Sequence, residues 1–362
     1  MNTPDEAAVR AALESIAPPW LGTDLVTAGA IKGIGIDGDR VAVDVKLGLP
    51  ADGVAGSLTE SIERRLVEGG LAAQATVNVG WRVLSHVVQG ELTPHAGIRN
   101  IIAVASGKGG VGKSTTAVNL ALALAHEGAR VGVLDADIYG PSMPRMLGVS
   151  GKPGNDGKRI FPHEAYGIKV MSMGFLVEED TPMIWRGPMV TSALQQLLGE
   201  TDWGELDYLV VDLPPGTGDI QLTLVQKIPV AGAVIVTTPQ DIALLDARKA
   251  LQMFRKLEVP VLGVVENMST HVCSQCGFEE PIFGAGGGER MAADFDIPLL
   301  GRLPLDIAIR KALDEGRPTL VEAPDSDVAA SYLAFARRTA GELSRRERNL
   351  KLGLPDIQLQ NR

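Results

Sequence analysis

Cysteine is scarce in this sequence, with two residues among 362. So few cysteines exclude the disulfide framework of small secreted domains and fit a reducing compartment, where thiols stay free. Aromatic residues make up 4% of the chain, and 34 basic residues face 44 acidic ones, for a formal net charge of -10. No stripe of lysine and arginine with interleaved aromatics appears, so we expect no nucleic-acid partner.

Long apolar runs and a basic leader are also absent. No run approaches the ~20 apolar residues that a membrane span requires. The first ten residues, MNTPDEAAVR, are acidic rather than a basic signal or an arginine-rich transit peptide. We therefore expect a cytoplasmic protein with no membrane partner.

A glycine-rich segment, GKGGVGKST, occupies residues 107–115. It fits the pattern G-x-x-x-x-G-K-[ST], and it follows an apolar stretch at 101–105 that suits a buried strand. Apolar residues at 117, 120, 121 and 124 have the spacing of one helix face. The order strand, loop, helix predicts a phosphate-binding loop, with the nucleotide phosphates at the helix N-terminus.

Each loop residue type has a physical role. Glycines let backbone N–H groups turn inward, Lys113 places a charge at the β and γ phosphates, and Ser114 offers a hydroxyl to Mg²⁺. Lys108 is a second lysine, which the pattern does not require. It could neutralise charge on a departing γ-phosphate in its own site or in a neighbouring one, or it could be a solvated loop lysine. The predicted nucleotide-binding residues of the loop are Gly107, Lys108, Gly109, Gly110, Val111, Gly112, Lys113, Ser114 and Thr115.

Two further apolar runs end in aspartate. Residues 131–134 lead into Asp135-Ala136-Asp137, and residues 208–211 lead into Asp212. An aspartate at the carboxyl end of a parallel strand can lie beside the phosphate loop and hold a magnesium-bound water or orient the attacking one. Each could instead be an N-cap or turn aspartate.

Both cysteines lie in one short segment, Cys273-Ser274-Gln275-Cys276, between a predicted strand and Gly277. Two thiols at this spacing can chelate one metal centre, but a 4Fe–4S cluster or tetrahedral zinc needs four ligands. A symmetric dimer would supply the other two. An iron–sulfur cluster, zinc assisted by His271, and a redox dithiol remain open, although flanking Gly277 and Pro281 favour a loop over the helix start of thioredoxin-like pairs.

The chain divides into parts of different pattern. Residues 1–86 are predicted to form a small α+β domain in the order helix, strand, strand, helix, strand. The first helix is predicted to run from the capping box at residues 3–6 to about Ile16. The second helix is predicted over residues 57–68. Residues 87–99 form a linker, 100–345 an ATPase domain and 346–362 a tail. In the large domain, strands near 101–106, 130–135, 168–173, 207–212, 232–238, 260–266 and 298–302 alternate with helical patterns, which predicts an α/β fold with a mostly parallel, doubly wound sheet.

With GKGGVGKST, DADIYGPS at 135–142 and DLPPGTGD at 212–219, the chain resembles the deviant-Walker P-loop ATPases, specifically the Mrp/ApbC type of iron–sulfur cluster carrier, over about residues 97–345. The resemblance implies that Lys108 crosses a homodimer interface to the partner's ATP, that Asp137 positions water, and that Asp212 serves the Mg²⁺ shell. Asn267, in Val-Glu-Asn-Met-Ser, would contact adenine. Residues 1–86 resemble the accessory domain fused ahead of such ATPases.

The same resemblance implies a function. ATP hydrolysis would gate a 4Fe–4S cluster held by Cys273 and Cys276 at the dimer interface, with apo iron–sulfur proteins and cluster scaffold proteins as partners. The alternative is a regulatory ATPase of the MinD or ParA type whose cysteine pair binds zinc or acts as a redox dithiol. A MinD-type ATPase would need a basic amphipathic C-terminal helix, which glycine and proline within Leu350–Pro355 would break.

Overall fold

The structure, a computed structural model, describes residues 5–176, 187–273 and 275–349. The segment Leu350–Pro355, whose glycine and proline argued against a membrane-binding helix, lies outside these ranges. Within them, no helix is both long enough and apolar enough to cross a membrane.

The N-terminal elements form a three-stranded sheet with two helices, in the predicted order. They are α1 Glu6–Glu14, β1 Ile31–Asp37, β2 Arg40–Leu47, α2 Asp52–Glu68 and β3 Gln74–Trp81. β2 lies in the middle, antiparallel to β1 and parallel to β3. Strict alternation of buried and exposed residues along β2 places Val41, Val43 and Val45 in the core, as a half-buried strand requires.

The first helix begins later than the capping-box pattern predicted. Asp5 has extended backbone angles (φ -87°, ψ 141°) and its carboxylate accepts a hydrogen bond from the Ala7 N–H at 3.3 Å, so Asp5 is the N-cap. Thr3, the expected cap, and Pro4 lie outside the described residues. Aspartate caps a helix as well as threonine does, and sequence alone could not decide between two candidates two positions apart. The helix ends at Glu14, where the Ser15 N–H bonds to the last turn.

The larger part of the chain contains an eight-stranded sheet and a separate two-stranded hairpin. Its elements are β4 Ile98–Ser106, α3 Lys113–His126, β5 Val131–Asp135, α4 Met143–Met146, β6 His163–Ala165, β7 Ile168–Ser172, a 3-10 turn Met173–Leu176, α5 Gly187–Glu200, β8 Leu206–Asp212, α6 Asp219–Val225, β9 Gly232–Thr237, α7 Asp241–Lys256, β10 Val261–Glu266, β11 His271–Val272, β12 Glu279–Glu280, α8 Gly287–Phe295, β13 Leu299–Arg302, α9 Ile307–Asp314, α10 Thr319–Glu322 and α11 Asp327–Ser344. All seven strands predicted for this region are present.

The order of the large sheet is β13-β10-β9-β4-β8-β5-β7-β6, and all neighbours are parallel except β6 with β7. Apolar residues of α3 and α11 pack on one face, and those of α5, α6, α7 and α8 pack on the other. The predicted class, a mostly parallel doubly wound sheet preceded by a small α+β domain, is therefore confirmed. β6 and β7 form an antiparallel hairpin at the edge of the sheet.

The small sheet is joined to the large domain by a buried carboxylate. Glu127, which follows α3 and is 1% exposed, accepts hydrogen bonds from the Gly53 N–H at 3.0 Å and from Arg337 Nε at 2.8 Å. Gly53 belongs to the first turn of α2, where a negative charge is favourable. Gln89, after β3, also bonds through its side chain to the carbonyls of Val225 and Ile228. The Glu127 contacts hold the small domain against the end of α3, and the Gln89 contacts hold the following segment against the end of α6.

Candidate nucleotide site and cysteine hairpin

The glycine-rich loop connects β4 to α3, as the pattern predicted, and two of its glycines are required by close contacts. A Cβ on Gly107 would lie 2.1 Å from the backbone oxygen of Asp246, and one on Gly112 would lie 2.2 Å from Asn267 Nδ2. Gly112 also has a φ of +80°, a conformation that L side chains rarely adopt. The loop therefore packs directly on α7 and on the end of β10.

Lys113 lies at the centre of a buried polar network. Its Nζ is 2.6 Å from Asp212 Oδ1 and 3.4 Å from Asp137 Oδ2, and the Ser114 hydroxyl donates to Asp212 Oδ2 at 2.5 Å. β8 lies between β4 and β5, so the ends of these parallel strands bring the loop and both aspartates to one edge of the sheet. The structure thus places four of the predicted residues together.

Ser114 and Asp212 fit a magnesium ion by their chemistry. A hydroxyl and a carboxylate oxygen are the hard ligands that Mg²⁺ prefers, usually alongside phosphate oxygens and water. Burial raises the pKa of Asp212, and the charge of Lys113 opposes that rise. A second cation near Asp212 would favour its ionised form further.

Asp135 also belongs to this site, although no separate role was predicted for it. It is fully buried, is the direct sheet partner of Asp212, and accepts hydrogen bonds from the N–H groups of Asp137 and Met143 and from the Ser172 hydroxyl, each at 3.1 Å. Burial, and secondly the charge of Asp212, raise the pKa of Asp135 to about 7. The signal was present in the spacing Asp-x-Asp, but only the fold shows which carboxylate points inward.

The other predicted loop residues differ in exposure. Gly109 and Gly110 are exposed, Val111 is buried, and Thr115 and Lys108 are half-buried. The Lys108 carbonyl accepts a hydrogen bond from the Ser106 hydroxyl at 2.9 Å, which orients the residue. Its ammonium group has no ion-pair partner among the described residues. It is therefore available to a phosphate of its own site or of another chain.

Asn267 lies directly beneath the phosphate loop. Its Nδ2 donates to the Val111 carbonyl at 2.9 Å, and the residue is 5% exposed. Together with Gly112 and Thr115 it lines a cavity of about 470 Å³ whose other walls include Pro304 and Tyr332. The amide nitrogen is thus engaged with the loop, and the carbonyl Oδ1 is the atom left to accept a hydrogen bond from a ligand.

The cysteine pair lies at the turn of the hairpin formed by β11 and β12, which confirms the predicted loop. The Cys273 N–H donates to the Phe278 carbonyl at 2.9 Å, and the Gly277 N–H donates to the Cys273 carbonyl at 2.8 Å. Gly277 closes the turn with a φ of +70°. Cys273 is half-buried and Cys276 is exposed.

The hairpin favours thiolate but supplies only two ligands. Hydrogen bonds from the N–H groups of Gln275 and Cys276 and from the Cys276 side chain lower the pKa of Cys273. His271 Nδ1 lies 3.1 Å from the Leu305 carbonyl, so this nitrogen is engaged by the backbone. Across residues 5–176, 187–273 and 275–349, no three His, Cys, Asp or Glu side chains converge as a metal site.

Fold and site together define a P-loop NTPase of the MinD and ParA class, in which nucleotide hydrolysis is the common activity. Within that class, the chain belongs to the NUBPL iron-transfer P-loop NTPase family, whose model matches residues 97–340. Residues 6–79 match the model of an iron–sulfur cluster assembly protein. The resemblance of both parts to cluster-handling proteins is thereby confirmed.

Relatives with curated names support this family assignment. The chain is 48% identical over 337 residues to the iron–sulfur cluster carrier protein of Haemophilus influenzae, covering 92% of this chain and 91% of the relative. It is 60% identical over 249 residues to the carrier protein of Escherichia coli, with 68% of each chain covered. It is 54% identical over 253 residues to the iron–sulfur cluster transfer protein NUBPL of Mus musculus, covering 69% of this chain and 79% of that one.

Solved structures agree on the fold. A nucleotide-binding protein from Archaeoglobus fulgidus in complex with ADP matches with a TM-score of 0.57 and 40% identity over 65% of this chain and 92% of that one. The cell-division ATPase MinD of Pyrococcus furiosus matches with a TM-score of 0.50 and 23% identity over 66% of this chain and 97% of that one, a likeness of fold alone.

Proposed function

We propose that this protein is an ATP-dependent carrier that binds a 4Fe–4S cluster between two copies of the chain and transfers it to apo iron–sulfur proteins, with ATP hydrolysis gating the transfer. The observation that carries the proposal is the combination, in one chain, of a buried network around Lys113 with an exposed pair of thiols. The cluster is cargo in this scheme, so its ligands must be able to release it.

The buried network around Lys113 supports ATP binding and hydrolysis. Lys113 provides the charge that faces the β and γ phosphates, and Ser114 and Asp212 would hold Mg²⁺, which supplies further charge to the phosphates when bound. We assign Asp137, whose Oδ2 lies 3.4 Å from Lys113 Nζ, to orientation of the attacking water. The cavity of about 470 Å³ at Asn267 is the place for the adenine, with Oδ1 accepting from its amino group.

Ligand number and exposure support a homodimer. Cys273 and Cys276 are two of the four thiolates that a 4Fe–4S cluster takes, so a two-fold axis through the hairpin would complete the set. Beside the cysteines, Phe278 and Ile282 expose 64% and 51% of their surface, as suits a face that a second copy covers. Lys108, whose ammonium group has no ion-pair partner in the part of the chain that the structure describes, would reach the partner's phosphates across the same interface.

A short covalent path supports coupling between the two sites. Asn267, whose side chain holds the phosphate loop through Val111, precedes Cys273 by six residues in the sequence. Between them Met268 adopts a φ of +56°, and the Ser269 N–H bonds to the Leu303 carbonyl at 3.0 Å. A shift of the phosphate loop on nucleotide binding would therefore be transmitted to the hairpin through the five residues between Asn267 and Cys273. These contacts connect the two sites in space. Whether nucleotide binding and cluster binding are coupled is measured by the experiments that follow.

The remaining assignments follow from the same proposal. We divide the chain into a cluster-assembly type accessory domain at 1–86, a linker at 87–99, the ATPase domain at 100–345 and a tail at 346–362. β4 begins at Ile98, so its first two residues lie in the linker so defined. The small domain would recognise recipients or cluster scaffold proteins. Free thiols as ligands fit the cytoplasm.

Anaerobic reconstitution tests the proposal. The purified chain is incubated with iron and sulfide, and iron, sulfide and zinc per chain are measured together with the mass of the assembly. We expect four iron and four sulfide per two chains, as set by the cluster, in a dimer. The double variant Cys273→Ser/Cys276→Ser should bind none, whereas Glu279→Gln, an exposed change in the same hairpin, should bind as the parent does. Zinc instead of iron, or a loaded monomer, would contradict the proposal.

A mixing experiment tests the role of Lys108. Lys108→Ala chains should hydrolyse ATP at least roughly 100-fold more slowly than the parent, as for loss of one transition-state charge. Mixed with Asp137→Asn chains, which keep Lys108, they should recover activity, because each mixed dimer has one site with Asp137 and a partner's lysine. No recovery on mixing would place Lys108 in its own site.

A further inference from the structure

A second cavity, away from the nucleotide and the cysteines, lies where the small sheet meets the end of α11. Its volume is about 500 Å³, and its walls come from β1, β2, the segment after β3 and the segment after α11. We call it the basic cavity, because six basic side chains line it: Lys32, Lys46, Arg82, Arg345, Arg346 and Arg348. No aspartate or glutamate lines it. Such a cluster is unexpected in a chain with a net charge of -10.

Few of these charges are compensated. Arg345 pairs with Glu342. Lys32 and Arg346 donate only to the carbonyl groups of neighbouring backbone. Among the residues that the structure describes, the side chains of Lys46, Arg82 and Arg348 have neither an ion-pair partner nor a hydrogen bond. Like charges held together without counter-charge repel each other, and a bound anion would remove that repulsion.

The backbone holds these cations in place. The Val87 N–H donates to the Glu347 carbonyl at 3.0 Å, and the Asn349 N–H donates to the Ser85 carbonyl at 2.9 Å. This pairing fixes Arg348 beside the segment that carries Arg82, and Lys46 projects from the neighbouring strand β2. The cations are thus contributed by both parts of the molecule and depend on their docking.

The remaining walls suit a small ligand rather than a flat electrostatic surface. Thr23 and Thr27 add hydroxyl groups, and Leu47 and Leu84 add apolar area. The volume lies in the range of small-molecule sites, which occur preferentially at domain junctions. Several converging cations with hydroxyl donors are the chemistry that recognises phosphate groups. We propose that the basic cavity binds a small anion carrying more than one phosphate group, and that the bound anion bridges the two domains.

Hydrogen–deuterium exchange with inorganic pyrophosphate as the probe tests this proposal on the full chain. Pyrophosphate should slow exchange at least threefold in residues 28–32, 46–48, 82–85 and 344–348. The phosphate loop at 107–115 is read in the same experiment, so binding there is seen separately and does not count for the cavity. Protection confined to the loop would overturn the proposal.

The decisive variant is Lys46→Gln/Arg82→Gln/Arg348→Gln. It should lose protection of the cavity segments and weaken pyrophosphate binding there at least tenfold, while protection of residues 107–115 by ATP stays as in the parent and shows that the chain is folded.

A matched control distinguishes binding in the basic cavity from a general effect of the net charge of the chain. Arg40, Lys158 and Lys227 are exposed basic residues that do not line the basic cavity. Their simultaneous change to Gln alters the net charge by the same amount and should leave cavity protection unchanged. Equal loss in both triple variants would overturn the proposal. So would protection of the cavity by an oligo-aspartate peptide but not by pyrophosphate, which would indicate a protein partner.

Discussion

The phosphate loop and the cysteine hairpin, the two candidate sites of this protein, differ in burial and in charge partners. In the loop, Lys113 is 6% exposed and has two carboxylate partners within the same chain. In the hairpin, Cys276 is exposed, and the described residues add no third metal ligand. Lys113 thus finds its charge partners within one chain, whereas the hairpin presents two thiols at the surface.

The proposed function requires such a difference between the two sites. Charges that act on phosphates are most effective when water is excluded, and burial requires that each charge has a partner. A cluster that is to be handed on must be reachable by the recipient, so its ligands cannot be buried in one chain. The comparison predicts that the two sites can be damaged independently, and each of the following experiments tests that independence.

The largest effect is expected from Lys113→Gln. ATP hydrolysis should fall roughly 100-fold or more, because the charge facing the β and γ phosphates is lost. Glutamine retains a hydrogen-bond donor for Asp212, so the fold should persist. Cluster loading onto the thiols, measured by iron per chain after reconstitution, should match the parent, while cluster delivery to an apoprotein should stop. Delivery at the parental rate would refute the gating, and failure to load would show that the two sites are not independent.

Two glycines with similar backbone angles give a matched pair. Gly112 has a φ of +80° and a Cβ there would lie 2.2 Å from Asn267 Nδ2, whereas Gly277 has a φ of +70° and a Cβ there meets nothing within 4 Å. We expect Gly112→Ala to lower the free energy of unfolding by roughly 3 kcal/mol. Gly277→Ala should cost about 1 kcal/mol, the strain alone. Urea unfolding measures both.

The same pair also has a functional prediction. Gly112→Ala should weaken ATP binding, because the added methyl group displaces the loop, and Gly277→Ala should leave ATP binding unchanged. If both alanine variants lost equal stability, packing around the loop would not be tighter than around the hairpin, and the contrast between the two sites would fail.

Asp135 predicts a pH dependence that belongs to the nucleotide site alone. Its pKa rises from 3.8 to about 7 on folding. Between these values the native state holds a proton that the unfolded chain has lost, so the free energy of unfolding should fall as the pH rises through that window, by roughly 1.4 kcal/mol per pH unit. Asp135→Asn should remove this part of the slope in nucleotide-free protein. An identical slope in both proteins would show that Asp135 is ionised throughout.

The smallest effect concerns the thiols. Since hydrogen bonds from Gln275 and Cys276 lower the pKa of Cys273, its alkylation should reach half-maximal rate below about pH 8.5, the ordinary value for cysteine. Peptide mass spectrometry after iodoacetamide treatment at several pH values follows Cys273 separately. The profile should not change in Lys113→Gln. A half-maximal alkylation rate at or above the ordinary pH for cysteine would show that the hairpin does not favour the thiolate form that binds a metal.

Much of this architecture was predictable from local patterns. The loop sequence, the apolar strand that precedes it and the aspartates that end two other strands identified the fold class and predicted residues for the nucleotide site. Two features were not predictable. Asp5 rather than Thr3 is the N-cap of the first helix, and residues of similar capping ability two positions apart cannot be told apart from sequence. Asn267 holds the loop through Val111, which requires β10 to end beneath it.

Sequence by itself determined the fold class and the candidate residues, since glycine spacing, a lysine at a fixed position and two lone cysteines are properties of the chain order. Tertiary structure alone decided which of these residues meet and how they ionise. Asp135 and Asp212 are 77 positions apart in the sequence but are direct partners on β5 and β8, and only that pairing, with burial from both faces of the sheet, raises the Asp135 pKa. Proximity and exclusion of water are created by packing, and no short pattern encodes either one.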